Sequence, residues 1–227
     1  MSEHNGSDNK DASAPQPEAK TSAPRLDGNE AVNRAAEQAK TTAKRNITEL
    51  EGLPIPDETA NLRFGPNIHD GLLALLPLVG VWRGEGQANT VVDGEYNFGQ
   101  QLIFSHDGEN YLKYESRIWT LDEDGKTVGP DQRETGFWRI NDKDEIEFVC
   151  VHSTGVTEIY YGKPVSERAW ELQAASTMVT ATGPASLGPG KRLYGLMPNN
   201  DLGWVDERLR DEEFVPRMSA QLKRYAG

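Results

Sequence analysis

Short runs of strand-forming residues recur at intervals of about ten residues from Tyr96 to the end of the chain, and this spacing restricts the possible folds more than any other feature. The segments between the runs contain Gly, Asn, Asp or Pro, which tight antiparallel connections need. The pattern therefore predicts an antiparallel meander. The runs are YNFGQQLIF, NYLKYESRIWT, RETGFWRI, EIEFVCVHS, VTEIYYG, AWELQAAST, KRLYGLM, LGWVDERL and MSAQLKRY.

A further strand at residues 80–86, GVWRGEG, precedes these runs and brings the total to about ten. Closing the strands into a barrel would remove both exposed sheet edges. The segment DGLLALLPL ahead of them reads as a short helix, with Asp70 as its N-cap and Pro77 at its end. We therefore predict an all-β fold, an antiparallel barrel of about ten strands with a short plug helix at one end.

The N-terminal part of the chain has a different composition. Residues 1 to about 50 contain no aromatic residue and almost no branched aliphatic residue. Such a segment cannot bury enough apolar surface to offset the entropy of ordering it. The sequence thus predicts a disordered acidic and polar tail over residues 1–55 and one barrel domain over residues 56–227.

Charge and cysteine content exclude several classes of function. The formal net charge is −12 and no basic face emerges, which disfavours nucleic acid and anionic membranes as partners. Cys150 is the single cysteine, which rules out an intramolecular disulfide and a cysteine-rich metal site. The sequence contains no export signal and no membrane-spanning apolar stretch. We expect a cytoplasmic monomer or homodimer without a bound metal.

The glycines around Trp82 have two interpretations, a phosphate-binding loop or the first strand of a barrel. A phosphate loop should follow a strand and open a helix, whereas these glycines follow a helix and lead into strands. The spacing of Gly80, Gly84 and Gly86 also fits neither nucleotide-binding fingerprint. We expect Gly84 and Gly86 to permit close approach of the backbone and Trp82 to fill space in the barrel.

Three motifs in order resemble the nitrobindin family. GVWRGEG has the pattern G-x-W-x-G-x-G, and RETGFWRI at 133–140 and VHSTGVTEIYYG at 151–162 follow it, with MSAQLKR near the end. The resemblance covers Gly71 to Arg224. It implies a ten-stranded antiparallel barrel, shaped like fatty-acid-binding proteins, that binds heme b at one mouth. Family members with ferric heme scavenge nitric oxide and isomerise peroxynitrite to nitrate.

Two departures from the family pattern fall at the cofactor. In the family a His that opens the last strand ligates the iron, in a pattern resembling H-L-x-A-x-L-x-R, and Arg217 stands at that position here. A Tyr-Pro-Thr stretch of the family is replaced by ANTVVDGEY at 88–96. Strand alternation would group Met218 with Ala220 inside and turn Arg217 outward, whereas the resemblance implies that Arg217 faces inward.

Two residues are candidate substitute ligands for heme iron. Alternation along EIEFVCVHS places Cys150 and His152 on the interior face, where a neutral hydrogen-bonded His is the simpler interpretation. Met218 would reach the iron if the strand register slipped by one residue. His106, in a turn, and His69, before the plug helix, are expected to be solvated.

No residue pattern indicates a catalytic group outside heme chemistry. We expect Glu134 and Glu158 to form structural ion pairs, with Arg133, Arg139 or Arg168 as their partners. Three hypotheses therefore remain. The chain is a barrel that has lost heme and keeps a cavity for a small apolar or anionic ligand, or a heme b protein with a substitute ligand that isomerises peroxynitrite, or a carrier of a small apolar ligand. An inward Arg217 would pair with an interior carboxylate or hold the acid group of a small ligand.

Overall fold

The computed structural model describes residues 54–63, 65–184 and 187–227. The tail predicted for residues 1–55 therefore lies, except for its last two residues, outside the described part of the chain. Within the described residues, no helix is both long and apolar enough to cross a bilayer.

The described chain forms a short 3₁₀ helix, Asp70–Leu78, followed by ten strands. The strands are β1 (Gly80–Thr90), β2 (Gly94–Ser105), β3 (Leu112–Leu121), β4 (Thr127–Ile140), β5 (Ile146–His152), β6 (Val156–Ser166), β7 (Ala169–Val179), β8 (Gly190–Leu196), β9 (Leu202–Arg210) and β10 (Glu213–Ala226).

The ten strands close into an antiparallel barrel in which each strand pairs with its sequence neighbours. β1 pairs with β2 along its whole length and with β10 on its other side, so the first and last strands seal the sheet. The predicted all-β barrel is confirmed. Alternation along each strand places one set of side chains inside, as the burial of β5 at every second residue shows.

The 3₁₀ helix covers one end of the barrel, which we call the closed end. Its side chains Leu72, Leu75 and Leu78 are fully buried. Trp82 Nε1 donates a hydrogen bond to the Leu78 carbonyl oxygen at 2.8 Å, and Trp170 Nε1 donates to the Ala74 carbonyl oxygen at 2.9 Å. The helix is thus attached to the barrel by apolar packing and by two indole donors.

The predicted cap of this helix is wrong. His69, not Asp70, is the N-cap, and its Nδ1 accepts a hydrogen bond from the Gly71 N–H at 3.0 Å. An imidazole nitrogen can satisfy an unpaired N–H of the first turn as a carboxylate does. Pro77 also lies inside the helix, which continues to Leu78.

Two glycines of β1 permit the close packing that seals the barrel. A Cβ atom at Gly84 would lie 2.2 Å from the carbonyl oxygen of Gln221 on β10. At Gly86 a Cβ atom would lie 2.3 Å from the Ser219 carbonyl oxygen and 2.4 Å from the Phe98 ring. Any larger residue would push β10 away from β1, so both positions require glycine.

The closed half of the interior is filled by aromatic rings. Phe104 lies edge-on to Trp138 with ring centroids 5.5 Å apart, and Tyr114 lies edge-on to Phe148 at 4.9 Å. Such edge-to-face pairs are a favourable arrangement of aromatic rings. We call the end of the barrel opposite the 3₁₀ helix the mouth.

The expectation that His106 is solvated is wrong. Its backbone forms a two-way bridge with Thr59, and the side chain is 1% exposed. Neither ring nitrogen has a hydrogen-bond partner among the described residues. Burial lowers the pKa of His106, and nearby Asp107 opposes that effect without cancelling it.

We predict that Trp82→Ala lowers the free energy of unfolding by about 3 to 5 kcal/mol, the usual cost of emptying a buried aromatic site. Trp82 is fully buried, and the Arg224 guanidinium lies 4.0 Å from its ring centroid. Trp82→Phe keeps most of the volume and should cost less. Urea unfolding of the three proteins measures the difference, and equal stability of wild type and Trp82→Ala would contradict the prediction.

We predict that His106 makes the protein less stable below pH 6.5. Its folded pKa is lowered from the ordinary value of 6.5, so the unfolded chain binds more protons below that pH, and stability falls as the pH drops. For one titrating group, the unfolding free energy changes by at most about 1.4 kcal/mol per pH unit. His106→Leu removes no hydrogen bond and should reduce the slope between pH 5 and 7 in urea unfolding. An unchanged slope would show that His106 does not titrate on unfolding.

Candidate functional site

Six titratable side chains meet inside the barrel between the aromatic core and the mouth. They occupy inward positions of β4, β5, β6, β8 and β9, and each is at most 6% exposed. We call them the charge ring: Glu134, His152, Glu158, Arg192, Asp206 and Arg208.

Two bidentate ion pairs form opposite sides of the charge ring. Arg192 donates from its two terminal nitrogens to the two carboxylate oxygens of Glu134, both at 2.8 Å. Arg208 donates in the same way to Glu158 at 2.6 and 3.0 Å. Parallel pairs of this kind are the strongest hydrogen bonds that a carboxylate and a guanidinium form.

Asp206 and His152 join the two ion pairs into a closed circuit. Asp206 accepts from the Nε of Arg192 at 3.1 Å and from the Nε of Arg208 at 3.0 Å. On the other side, His152 Nδ1 lies 3.2 Å from Glu134 Oε1, and Nε2 lies 3.1 Å from Glu158 Oε2. The Nε2 contact is a charge contact, since this atom has no partner at hydrogen-bond geometry among the described residues.

The two contacts of His152 close the charge ring. One ring nitrogen lies against Glu134 and the other against Glu158, so the imidazole links the two carboxylates that Arg192 and Arg208 bind.

The carboxylates of Glu134 and Glu158 stay ionised. Burial acts to raise the pKa of Glu134, but Arg192 and His152 hold it well below its ordinary value. Burial likewise opposes ionisation of Glu158, and contacts with His152 and Arg208 outweigh it and lower its pKa. Tyr114 donates to Glu134 at 2.9 Å and Tyr160 to Glu158 at 2.8 Å.

Glu134, Cys150 and His152 each place a potential metal-ligating atom within 4.8 Å of the others. Sequence reasoning missed this group because the three residues lie on two strands. The group does not suit a metal ion, since both Glu134 oxygens bind Arg192. Burial also raises the pKa of the Cys150 thiol well above its ordinary value, which keeps it protonated.

A cavity of about 710 Å³ lies at the mouth, outside the charge ring. Gln132, His152 and Arg208 are among its lining residues, and the β1–β2 turn at 90–93 forms part of its rim. Arg217 lines it from β10. We call this space the mouth cavity.

A β-bulge at Arg217 resolves the conflict between alternation and resemblance. Pro216 pairs with Glu207 and Met218 pairs with the adjacent Asp206, so Arg217 is the extra residue of β10. A bulge lets two successive side chains point to one side of a strand. The Arg217 side chain is accordingly 17% exposed and Met218 is 2% exposed.

The inward side chains at the bulge contact each other. Arg217 Nη1 lies 3.5 Å from Asp206 Oδ2 and 3.4 Å from Met218 Sδ. Gln132 Nε2 also donates to Met218 Sδ, at 3.1 Å. Both candidate substitute ligands, His152 and Met218, are therefore inside the barrel, and each is already in contact with polar partners.

The predicted partners of Glu134 and Glu158 are wrong. They are Arg192 and Arg208, not Arg133, Arg139 or Arg168. A sequence signal for these partners was available. Strand alternation places Arg192 on the same face of β8 as Tyr194, and Arg208 on the same face of β9 as Trp204. Charged residues in register with buried aromatic ones indicate an interior ion network.

We predict that Glu158→Gln costs about 3 to 5 kcal/mol of unfolding free energy, because it leaves the buried Arg208 without its bidentate partner. Glu171→Gln is the matched control. Glu171 pairs with Lys191 at 3.3 Å on the outer surface, where an ion pair contributes about 1 kcal/mol or less. Urea unfolding at pH 7 compares the variants, and equal costs would show that the charge ring does not stabilise the barrel.

Comparison with known proteins gives a consistent picture. Residues 71–224 match the family model described as the THAP4-like, heme-binding beta-barrel domain. A "Ferric nitrobindin-like protein" of Corynebacterium efficiens is 74% identical over 204 residues, which cover 90% of this chain and 88% of that protein. A "Peroxynitrite isomerase 2" of Rhodococcus jostii is 48% identical over 209 residues, covering 88% of this chain and 98% of that protein.

A solved structure has the same architecture. The crystal structure of Rv2717c from M. tuberculosis superposes with a TM-score of 0.60 at 26% sequence identity. The match covers 70% of this chain and 99% of that one.

Proposed function

The chain belongs to the nitrobindin family, and on that premise we propose that its barrel binds a small ligand in the mouth cavity without ligating heme iron. The observation that carries the proposal is the position of Arg217. Its guanidinium faces the cavity from the bulge in β10 and contacts Asp206 and Met218.

The side chains of β10 do not fit an axial ligand. A guanidinium has five donors and no free lone pair, and it stays charged at physiological pH, so Arg217 repels a metal cation. Met218 Sδ faces the N–H groups of Gln132 and Arg217. A thioether in that position accepts hydrogen bonds and is not free to bind iron.

His152 does not fit either, although it lines the mouth cavity. Both of its nitrogens lie within 3.2 Å of carboxylate oxygens of Glu134 and Glu158. Turning one nitrogen towards an iron would separate it from a buried carboxylate and leave that charge with fewer partners. The cost of such a change is several kcal/mol.

The second candidate function is that of a heme b protein with a substitute ligand, which isomerises peroxynitrite to nitrate. It is favoured by the family description and by the Rhodococcus relative at 48% identity. Of the histidines that the structure describes, only His152 lines the mouth cavity, so this function would depend on it. The contacts of His152 with Glu134 and Glu158 count against this second function.

A hemin titration distinguishes the two functions. We predict that the wild type gives no Soret band of the His-ligated ferric type, whereas Arg217→His gains one because an imidazole then faces the cavity. Arg210→His is the matched control, since it also places an imidazole on the cavity wall but outside the bulge.

Tight, His-like binding of ferric heme by the wild type would overturn the proposal. If Arg217→His gains no binding, the segment ANTVVDGEY at 88–96 restricts heme as strongly as Arg217 does. Thermal unfolding of each variant, recorded in parallel, verifies that the barrel is intact.

A further inference from the structure

We propose that the mouth cavity binds an organic monoanion with an apolar body, and that Arg217 holds the carboxylate or sulfonate of this ligand. The inference rests on the proposed function, because it takes the cavity to be available to a ligand other than heme. The partners of the interior carboxylates, the free donors of Arg217 and the residues of the cavity wall support it.

The carboxylates of the charge ring have partners other than Arg217. Glu134 and Glu158 each have a bidentate guanidinium partner, and Asp206 accepts from both Arg192 and Arg208. All of these contacts are shorter than the 3.5 Å between Arg217 and Asp206. Arg217 therefore places on the wall of the mouth cavity a positive charge that no carboxylate of the charge ring binds closely.

The donors of Arg217 are largely unused. Its contacts with Asp206 and Met218, at 3.5 and 3.4 Å, both involve Nη1, and both are longer than any contact within the charge ring. Among the described residues, no hydrogen bond to Nη2 or Nε of Arg217 is found. A planar guanidinium with free donors on one edge matches the two oxygens of a carboxylate or sulfonate.

The cavity rim presents apolar side chains to an incoming ligand. Val91 and Val92, in the β1–β2 turn, are 74% and 88% exposed, and Leu187 and Leu209 also line the cavity. Apolar surface exposed at the entrance of a cavity is typical of a ligand-binding site. The ligand therefore has an apolar body that covers these side chains.

Acidic groups on the same wall restrict the ligand to a single negative charge. Asp93 and Asp131 line the cavity with Tyr96, whose hydroxyl donates to Asp131 at 2.9 Å. Burial and Asp131 raise the pKa of Tyr96, so this hydroxyl stays a donor to Asp131. Arg210 also lines the cavity, but outside the bulge, so a dianion such as a phosphate monoester held by Arg217 would face these carboxylates with a second charge.

The test uses two fluorescent probes with similar aromatic bodies and different charge. They are 1-anilinonaphthalene-8-sulfonate, a monoanion, and N-phenyl-1-naphthylamine, which is neutral. Arg217→Gln removes the charge in the cavity, and Arg139→Gln is the matched control, because Arg139 is exposed on the outer face of β4.

We expect the wild type to bind both probes and Arg217→Gln to bind the sulfonate about 10- to 100-fold more weakly, the usual effect of losing a hydrogen bond to a charged group. Binding of the neutral probe should change by less than about twofold, and Arg139→Gln should bind both as the wild type does. Octanoate should displace the sulfonate at lower concentration than 1-octanol does.

Equal affinity of wild type and Arg217→Gln for the sulfonate would overturn the inference. A parallel loss of both probes would also overturn it, because the substitution would then have damaged the cavity and not only removed its charge. Arg217→Lys keeps the charge and should retain part of the sulfonate affinity. The hemin titration of the wild type tests the proposed function separately, since a His-type Soret band is independent of either probe.

Discussion

The closed circuit of the charge ring is the interaction on which the rest of the barrel interior depends. Three carboxylates and two guanidinium groups lie almost fully out of water, and isolated ions in that environment are strongly unfavourable. They are tolerated because each carboxylate accepts from at least one guanidinium and because His152 joins the two ion pairs. Removing one member leaves each of its neighbours with one partner fewer.

This circuit divides the barrel into two halves with different chemistry. Below it, aromatic rings and the 3₁₀ helix fill the closed end. Above it, the mouth cavity begins at His152 and Arg208 and extends to the rim. Arg217 stands between the circuit and the cavity, because the bulge in β10 turns it inward beside Asp206. The position of this cation is the basis of the proposal that the cavity takes an anion and not heme iron.

Sequence reasoning predicted the barrel because strand length, alternation and turn residues are local signals. It also placed Cys150 and His152 on the inner face, for the same reason. It failed where partners are far apart in sequence: Glu134 meets Arg192 at a separation of 58 residues, and Glu158 meets Arg208 at 50. The sequence indicated that His106 is a solvated turn residue. In the structure, its backbone bridges to Thr59 and its side chain is buried.

By itself, the sequence determined the antiparallel barrel and the closing glycines, because each of these depends on residue type and local spacing. That Arg217 occupies the position of the family's ligand is implied by the resemblance and stays a prediction. The tertiary structure alone decided where Arg217 points. Alternation turned it outward, and a one-residue bulge against β9 turned it inward. The structure also decided which charges meet inside the barrel, because barrel closure brings together strands that no local pattern connects.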